Sequence, residues 1–286
     1  MLITYYGTGG GAGIPELFCS CRVCEYARTH GGPEIRTRSQ ATIDDIMIDF
    51  SVDTFGHCVY RGLDMRNYRN VLITHAHFDH YMHPELVSRF TDYGGGWTFY
   101  LPSPAYQQES KWLIEATSGP QKEPPRVSPR MKESVPFTPM QVGSARVTPL
   151  PSRHAPAVGS VIYLIEKDST RLLYATDTGG LTARAAGYAG IGQFSRSRKF
   201  LTGIIMEATM GLDYQPDFRM FSHSSVAVVQ DTVKVLSANR RYIPVEGQKV
   251  WLTHLAKVYH TSQAELDRTI PDPLKFAYDG LEVLIR

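Results

Sequence analysis

The sequence lacks any apolar run long enough to cross a membrane, and its N-terminus runs straight into glycine without a signal-peptide pattern. It also lacks a charge imbalance, because 30 basic and 28 acidic residues leave a net charge of +2 and no basic footprint for nucleic acid. Cysteine is scarce, and three of the four cysteines lie together, which in a reducing compartment indicates metal ligands rather than disulfides. We therefore expect a cytoplasmic protein without a membrane or nucleic-acid partner.

The rest of the composition is that of an ordinary globular chain, with 42% hydrophobic and 20% charged residues. No linker divides the sequence, so we expect a single domain over residues 1–286. Strand-like stretches interspersed with helices in both halves predict two sheets packed face to face with helices outside, an α/β (α+β) fold.

The most informative stretch runs from Val71 to His80 and reads VLITHAHFDH. Its apolar start predicts a buried strand, which ends at three histidines and an aspartate. Imidazole and carboxylate suit zinc, iron or manganese, and the H-x-H-x-D-H spacing places two ligands on each side of a tight loop. The pattern can therefore serve two metals.

This motif resembles the signature of the metallo-β-lactamase-fold hydrolases, a family that implies a four-layer αβ/βα sandwich. Three further ligands of the family follow in order, each just beyond an apolar run. The resemblance implies one metal held by His75, His77 and His154, a second held by Asp79, His80 and His254, and a bridge between them from Asp177. It also implies catalysis by a hydroxide that bridges the metals, with Asp79 and Asp177 among the catalytic residues.

A glycine-rich loop at 7–15 lacks the Gly-Lys-Ser/Thr ending of a phosphate-binding loop, so we predict a turn close to the metals. Cys19, Cys21 and Cys24 follow it, and three thiolates at this spacing can wrap a structural zinc. Together with the histidine motif, these two features resemble the phosphoribosyl cyclic phosphodiesterases of the carbon-phosphorus lyase pathway. The similarity continues at 148–151, 160–165, 177–178 and 278–282.

One position departs from that family. Its fourth ligand of the cysteine zinc is a histidine where this chain has Lys257, and an ammonium group cannot ligate zinc. We propose His260 as the replacement ligand, with Cys58 in reserve.

Two residues outside the ligand set are also assigned. The resemblance implies that Asp49, which ends a strand, orients a ligating histidine from beneath the metal loop. The resemblance implies that His223, which we place at the start of a helix over 223–238, contacts the substrate phosphate and protonates the leaving group. A helix N-terminus there would favour an anion.

The predicted function is hydrolysis of a small, cyclic phosphodiester by two divalent ions, zinc or manganese and otherwise iron, with one structural zinc at the cysteines. A surface insertion around 119–135 would border the substrate cleft. The alternatives are a tRNA 3′-processing nuclease, a thioester or lactone hydrolase, a relative of the pyrroloquinoline quinone biosynthesis protein, and a non-catalytic metal-binding protein. The sequence is compatible with a homodimer.

Overall fold

The computed structural model describes residues 1–88, 96–117, 130–190, 199–212 and 218–286; the side chains of 86–88 and 112–117 are not described. Most of the predicted insertion, residues 119–129, lies outside these ranges. For the last part of the insertion the prediction of a surface loop was wrong. Arg130–Glu133 forms an edge strand, because it pairs in parallel with the strand Thr98–Leu101.

Two seven-stranded sheets form the framework. The first contains, in chain order, β1 (Leu2–Gly7), β2 (Gln40–Ile43), β3 (Ile46–Ile48), β4 (Asn70–Leu72), β5 (Thr98–Leu101), β6 (Arg130–Glu133) and β14 (Glu282–Leu284). The second contains β7 (Met140–Val142), β8 (Ala145–Pro151), β9 (Val161–Lys167), β10 (Thr170–Ala175), β11 (Gly203–Glu207), β12 (Val250–Thr253) and β13 (Leu274–Phe276). The spatial orders are 14-1-2-3-4-5-6 and 13-12-11-10-9-8-7.

Seven α-helices accompany the sheets in the described ranges. They are α1 (Arg22–His30), α2 (Thr54–Tyr60), α3 (His83–Ser88), α4 (Ser103–Thr117), α5 (Ala183–Ala189), α6 (Val226–Ala238) and α7 (Gln263–Thr269). None of these helices is long and apolar enough to span a bilayer.

Side chains alternate between two buried layers, which explains the continuous apolar runs of the central strands. In β4, Leu72 joins the core between the sheets, whereas Val71 packs into the outer core beneath α4. In β10, Tyr174 faces the inter-sheet core and Leu173 packs towards α5 and α6. The predicted four-layer sandwich is confirmed.

The sheets share one functional edge. Strands β3 to β6 are parallel, as are β10 to β13, so the carboxyl ends within each group face one way. The segments that follow β3, β4, β8, β10 and β12 contain Asp49, the histidine motif, His154, Asp177 and His254. Sequence positions up to about two hundred residues apart are thereby collected in one place.

Candidate metal centre

Three imidazoles form the first ligand group. His75 Nε2 lies 3.0 Å from His77 Nδ1, and His154 Nε2 lies 3.1 Å from the same atom, so three nitrogens face a common point. His154 reaches it because its Nδ1 faces the Ser222 carbonyl oxygen at 3.2 Å, which leaves Nε2 as the ligating atom. The structure thus brings together the set predicted for metal one.

The second group joins Asp79, His80 and His254. The Nε2 atoms of the two histidines lie 3.3 Å apart, and Asp79 Oδ2 is 3.4 Å from His80 and 3.6 Å from His254. Asp177 Oδ2 approaches His80 Nε2 at 2.7 Å and His254 Nε2 at 3.2 Å. Asp177 also lies with His154 in a possible ligand group, so it stands between the two sets as a bridging carboxylate must.

The non-ligating ring nitrogens show that these atoms suit a cation. Asp49 Oδ2 accepts from His80 Nδ1 at 2.6 Å, which places the lone pair of neutral His80 on Nε2, facing the Asp177 oxygen. That oxygen is buried and has no hydrogen-bond partner in the described part of the chain. With both atoms as acceptors the contact needs a positive charge between them, which a bound metal ion would supply in place of a proton.

Electrostatics agree with this interpretation. Burial alone would lower the pKa of His80, but the carboxylates of Asp177, Asp49 and Asp79 outweigh it and raise that pKa well above its ordinary value. Burial alone would likewise raise the pKa of Asp177, yet His254 and His80 hold it well below its usual range. The centre is an anionic cavity that demands a positive charge.

A second positioning contact escaped the sequence analysis. The Thr209 hydroxyl donates to the His254 carbonyl oxygen at 2.7 Å and accepts from His254 Nδ1 at 2.8 Å, so His254 too presents Nε2 to the centre. Threonine after a strand carries no distinctive pattern, and only the fold reveals this contact.

Backbone strain is concentrated at the centre. Asp49, Asp177 and His254 have φ values of 65°, 48° and 59°, a left-handed conformation that non-glycine residues seldom adopt. Such strain persists where the surrounding structure holds it, and it collects at functional sites. Each of these residues directly follows or closely follows a strand, so the kink turns its side chain towards the centre.

The glycine-rich loop lies against the ligands, as predicted. A Cβ atom on Gly10 would come within 3.1 Å of His254 Cε1, and one on Gly11 within 3.2 Å of Asp79 Oδ2. Gly10 N donates to the Leu255 carbonyl oxygen at 3.1 Å, which fixes the loop beside the last histidine. The absence of side chains here keeps two ligands in place.

Comparisons with known proteins identify the family. The model of the beta-lactamase superfamily domain matches residues 44–195, which include the histidine motif, His154 and Asp177. The chain belongs to the beta-lactamase superfamily. The predictions of a metallo-β-lactamase fold and of a metal-dependent hydrolase are confirmed at this level.

Several solved structures resemble this one over nearly the whole chain. A new diphosphatase of the PhnP family has a TM-score of 0.68 at 17% identity, covering 99% of this chain and 96% of the other. Zn²⁺-bound PqqB from Methylobacterium extorquens gives 0.70 at 13%, with 99% of both chains covered. Human tRNase Z, short form, gives 0.64 at 14%, with full coverage of both. These TM-scores show a shared fold.

A curated relative matches only locally. The octanoyltransferase of Porphyromonas gingivalis is 38% identical over 79 residues, which is 26% of this chain. The match spans 15% of that relative's length, so it assigns no activity to this chain.

His223 lies beside the candidate metal centre and pairs with a carboxylate that the sequence analysis did not identify. Its Nδ1 lies 3.1 Å from Glu207 Oε2 and 3.4 Å from Asp177 Oδ1, and Glu207 is fully buried. Burial would lower the pKa of His223, but Glu207 outweighs it and raises the pKa to about 9. Glu207, at the end of β11, was missed because a single carboxylate in an apolar strand has no spacing to mark it.

The helix that we predicted over 223–238 requires a correction. It begins at Val226, because the Ser225 hydroxyl caps it by accepting from Val228 N. His223 therefore lies before the helix rather than on its first turn, and its orientation comes from Glu207 rather than from a helix N-terminus.

The cysteine cluster is assembled, but its predicted fourth ligand is not where we expected. The sulfur atoms of Cys19, Cys21 and Cys24 lie within 4.8 Å of one another. His260 is buried, and its Nε2 instead hydrogen-bonds the Ala208 carbonyl oxygen at 2.7 Å. Lys257, at the position of the family histidine, pairs with Glu16.

Glu16 ties this ion pair to the thiols, because its backbone N–H donates to Cys24 Sγ at 3.4 Å. Cys58, the reserve candidate, lies on α2 and outside the group of three thiols. The three cysteines form a compact thiol site, and the identity of any fourth ligand stays a prediction.

Proposed function

We propose that this superfamily member is a dinuclear phosphodiesterase that hydrolyses a small, cyclic or linear, phosphodiester. The observation that carries the proposal is the convergence of seven ligands with a separate histidine and carboxylate pair, His223 and Glu207, at the same edge of the sandwich. A binding protein needs the ligands alone. An acid positioned beside them is what ester cleavage requires.

The residues fit two divalent ions, with three nitrogens on one side and two nitrogens and a carboxylate on the other. When bound, such ions lower the pKa of coordinated water and polarise a phosphoryl oxygen. We propose zinc or manganese, or else iron, at this centre, and a structural zinc at Cys19, Cys21 and Cys24.

Charge favours an anionic substrate. Only two of the seven ligands, Asp79 and Asp177, are carboxylates, and protonated His223 offsets Glu207. Even with Asp49 counted, two divalent ions would leave the centre positive. A phosphodiester monoanion therefore binds more favourably than a neutral thioester or lactone.

His223 supplies the proton in this scheme. Glu207 orients Nδ1, so Nε2 is the nitrogen that can donate to the departing oxygen. A pKa of about 9 keeps the ring protonated at neutral pH, as a general acid must be. Asp49, Thr209 and the Ser222 carbonyl hold the ligating histidines in the required orientation.

Elemental analysis combined with turnover tests the proposal. The double variant His75→Ala/Asp177→Ala should contain two metal ions fewer per chain than the wild type and lose turnover of bis-p-nitrophenyl phosphate and of a 1,2-cyclic ribose phosphate. The matched control is His30→Ala/Asp231→Ala, in which both positions are exposed, lie on α1 and α6 and belong to no predicted ligand set.

Three outcomes separate the alternatives. Turnover of both diesters that disappears with the metal pair supports the proposal. Full metal content without any diester turnover would overturn it in favour of a binding protein, and hydrolysis of thioesters alone would favour that other enzyme class.

A further inference from the structure

A pocket of about 440 Å³ opens beside the metal centre. Small-molecule sites commonly measure about 300–1,000 Å³, so this one can hold an organic group rather than only solvent. Its lining includes His154, a ligand of the centre, and Phe221, two residues before His223. The ring centroid of His154 lies 4.9 Å from that of His223, so the pocket adjoins the part of the centre where His223 lies.

Flat, rigid and mostly apolar surfaces form its walls. Val161 and Phe221 contribute apolar side chains, and five prolines line the cavity: Pro102, Pro104, Pro136, Pro151 and Pro156. Proline rings present flat faces without backbone donors. Ser103, Ser152 and Ser160 add hydroxyl groups that can meet polar atoms at the edge of a ligand.

Arg153 is the one arginine or lysine among the residues that line this described cavity, and the lining contains no carboxylate. Its side chain is exposed, and a guanidinium group can stack on an aromatic face or attract an electron-rich ring. A flat ring between proline faces, with an arginine at its edge, matches every part of this lining.

The walls are fixed to the metal-bearing turns. Arg153 N donates to Thr178 Oγ1 at 3.0 Å, and Gly179 N donates to the Arg153 carbonyl oxygen at 2.8 Å, next to Asp177. On the other side, Val161 N donates to the Thr74 carbonyl oxygen at 2.9 Å, next to His75. The position of the pocket relative to the centre is thus built into the fold.

A close approach of two loops completes the pocket. A Cβ atom on Gly159 would lie 2.5 Å from Pro104 Cδ, so the loop after β8 rests against the start of α4. Gly159 has φ 60°, a value that suits glycine. A preformed cavity avoids part of the ordering cost of binding.

We infer that the substrate is a linear phosphodiester, that this pocket binds its leaving alcohol, and that this alcohol carries a flat ring. The inference rests on the proposed phosphodiesterase activity and names its substrate class. In the reaction, a water molecule releases one proton to solvent as its oxygen bonds to phosphorus. The bond from phosphorus to the alcohol oxygen breaks with its electron pair going to that oxygen, and His223 protonates it. The ring-bearing alcohol leaves from the pocket beside His154 and Phe221.

Cavity filling provides the test. Ala155 lines the pocket, whereas Ala157 lies on the same loop, is exposed and does not line it. Ala155→Phe and the control Ala157→Phe would be assayed by ³¹P NMR on methyl phenyl phosphate and methyl 2,2,2-trifluoroethyl phosphate. Comparing each variant with the wild type on one substrate cancels the difference in leaving-group acidity.

The expected result is a ratio. The factor by which Ala155→Phe lowers kcat/KM should be at least ten times larger for the phenyl ester than for the trifluoroethyl ester, mainly because KM rises. Ala157→Phe should match the wild type on both esters. Ser103→Phe, at the start of α4 and also in the lining, repeats the test if Ala155→Phe does not fold. Unchanged metal content shows that the centre is intact.

Equal losses on both esters, or no loss on either, would overturn the inference while leaving the phosphodiesterase proposal standing. If the metal-loaded wild type hydrolyses neither ester, nor bis-p-nitrophenyl phosphate, nor a 1,2-cyclic ribose phosphate, the proposed function itself fails. Turnover of the cyclic diester alone would overturn the inference and leave the proposed function standing. The two failures are therefore distinguishable.

Discussion

Asp49→Asn should disable the metal centre with little disturbance of the fold. Asp49 accepts from His80 Nδ1 through Oδ2 and from Thr74 N through Oδ1, at 2.6 and 2.8 Å. Asparagine has the same shape and tolerates the positive φ of 65° at this position. The substitution therefore changes one property, the number of acceptors.

Either orientation of the new amide is unfavourable. If its NH₂ group faces His80, the imidazole must accept at Nδ1 and carry its proton on Nε2, the atom that should ligate the metal. If its NH₂ group faces Thr74 instead, a buried donor meets a donor, at a cost of about 1–3 kcal/mol. Loss of such an orienting contact typically costs about 10–100-fold in metal affinity, or about 1.4–2.7 kcal/mol.

Competition with a chromophoric chelator at pH 8 would measure the affinity for the metal ion that His80 is predicted to bind. Asp45→Asn is the control, since Asp45 lies near the same strand but bonds Ser144 instead of a ligand. If Asp49→Asn retains wild-type affinity while its folding is unchanged, Asp49 does not orient His80 and the tautomer argument is refuted.

Three other perturbations test separate parts of the structure. Gly10→Ala should weaken metal binding about tenfold, because the new Cβ atom would press on His254 from 3.1 Å. Glu207→Gln should reduce kcat about 100-fold for an alkyl leaving group, and much less for p-nitrophenolate, which departs without a proton. Stability should fall on acidification, because burial lowers the pKa of His57 to about 4 and of His260 to about 3. Between pH 6.5 and pH 5 both histidines stay neutral in the folded state, whereas they take up protons in the unfolded state. Each histidine should therefore lower the free energy of unfolding by about 2 kcal/mol between pH 8 and pH 5.

Each of these has its own control. Gly56→Ala should leave metal affinity unchanged, since its Cβ atom would meet nothing within 4 Å. Equal losses of Glu207→Gln on both leaving groups would contradict a role in proton donation. Denaturant titrations of His57→Gln at several pH values should show a shallower acid dependence than the wild type, and an unchanged slope would refute the linkage.

The residues that the sequence predicted as ligands lie together in the fold, because their positions follow from local patterns. An apolar run that ends in histidine or aspartate places that side chain at a strand end, and His75, His154, Asp177 and His254 all obey this rule. The fold class could also be predicted from local patterns, because buried strands and amphipathic helices have distinct periodicities. The glycine loop was predicted from conformational freedom alone and does lie against His254.

What the sequence missed depends on contacts between distant segments. Glu207 and Thr209 act on His223 and His254 through packing of neighbouring strand ends, which no spacing records. The ligand role of His260 was assigned from its proximity in sequence to Lys257, yet the ring turns to the Ala208 carbonyl. The predicted helix start was wrong by three residues, because the start is fixed by the Ser225 hydroxyl, which accepts from Val228 N.

The two sheets contribute unequally to the centre. His75, His77, Asp79 and His80 come from the first sheet, whereas His154, Asp177 and His254 come from the second. Each ion would therefore be bound by ligands from both sheets and would cross-link the sheets at the edge of the apolar layer between them. Metal affinity then reports the spacing of the two halves of the molecule, and any substitution in that layer that shifts one sheet against the other should change metal loading from a distance.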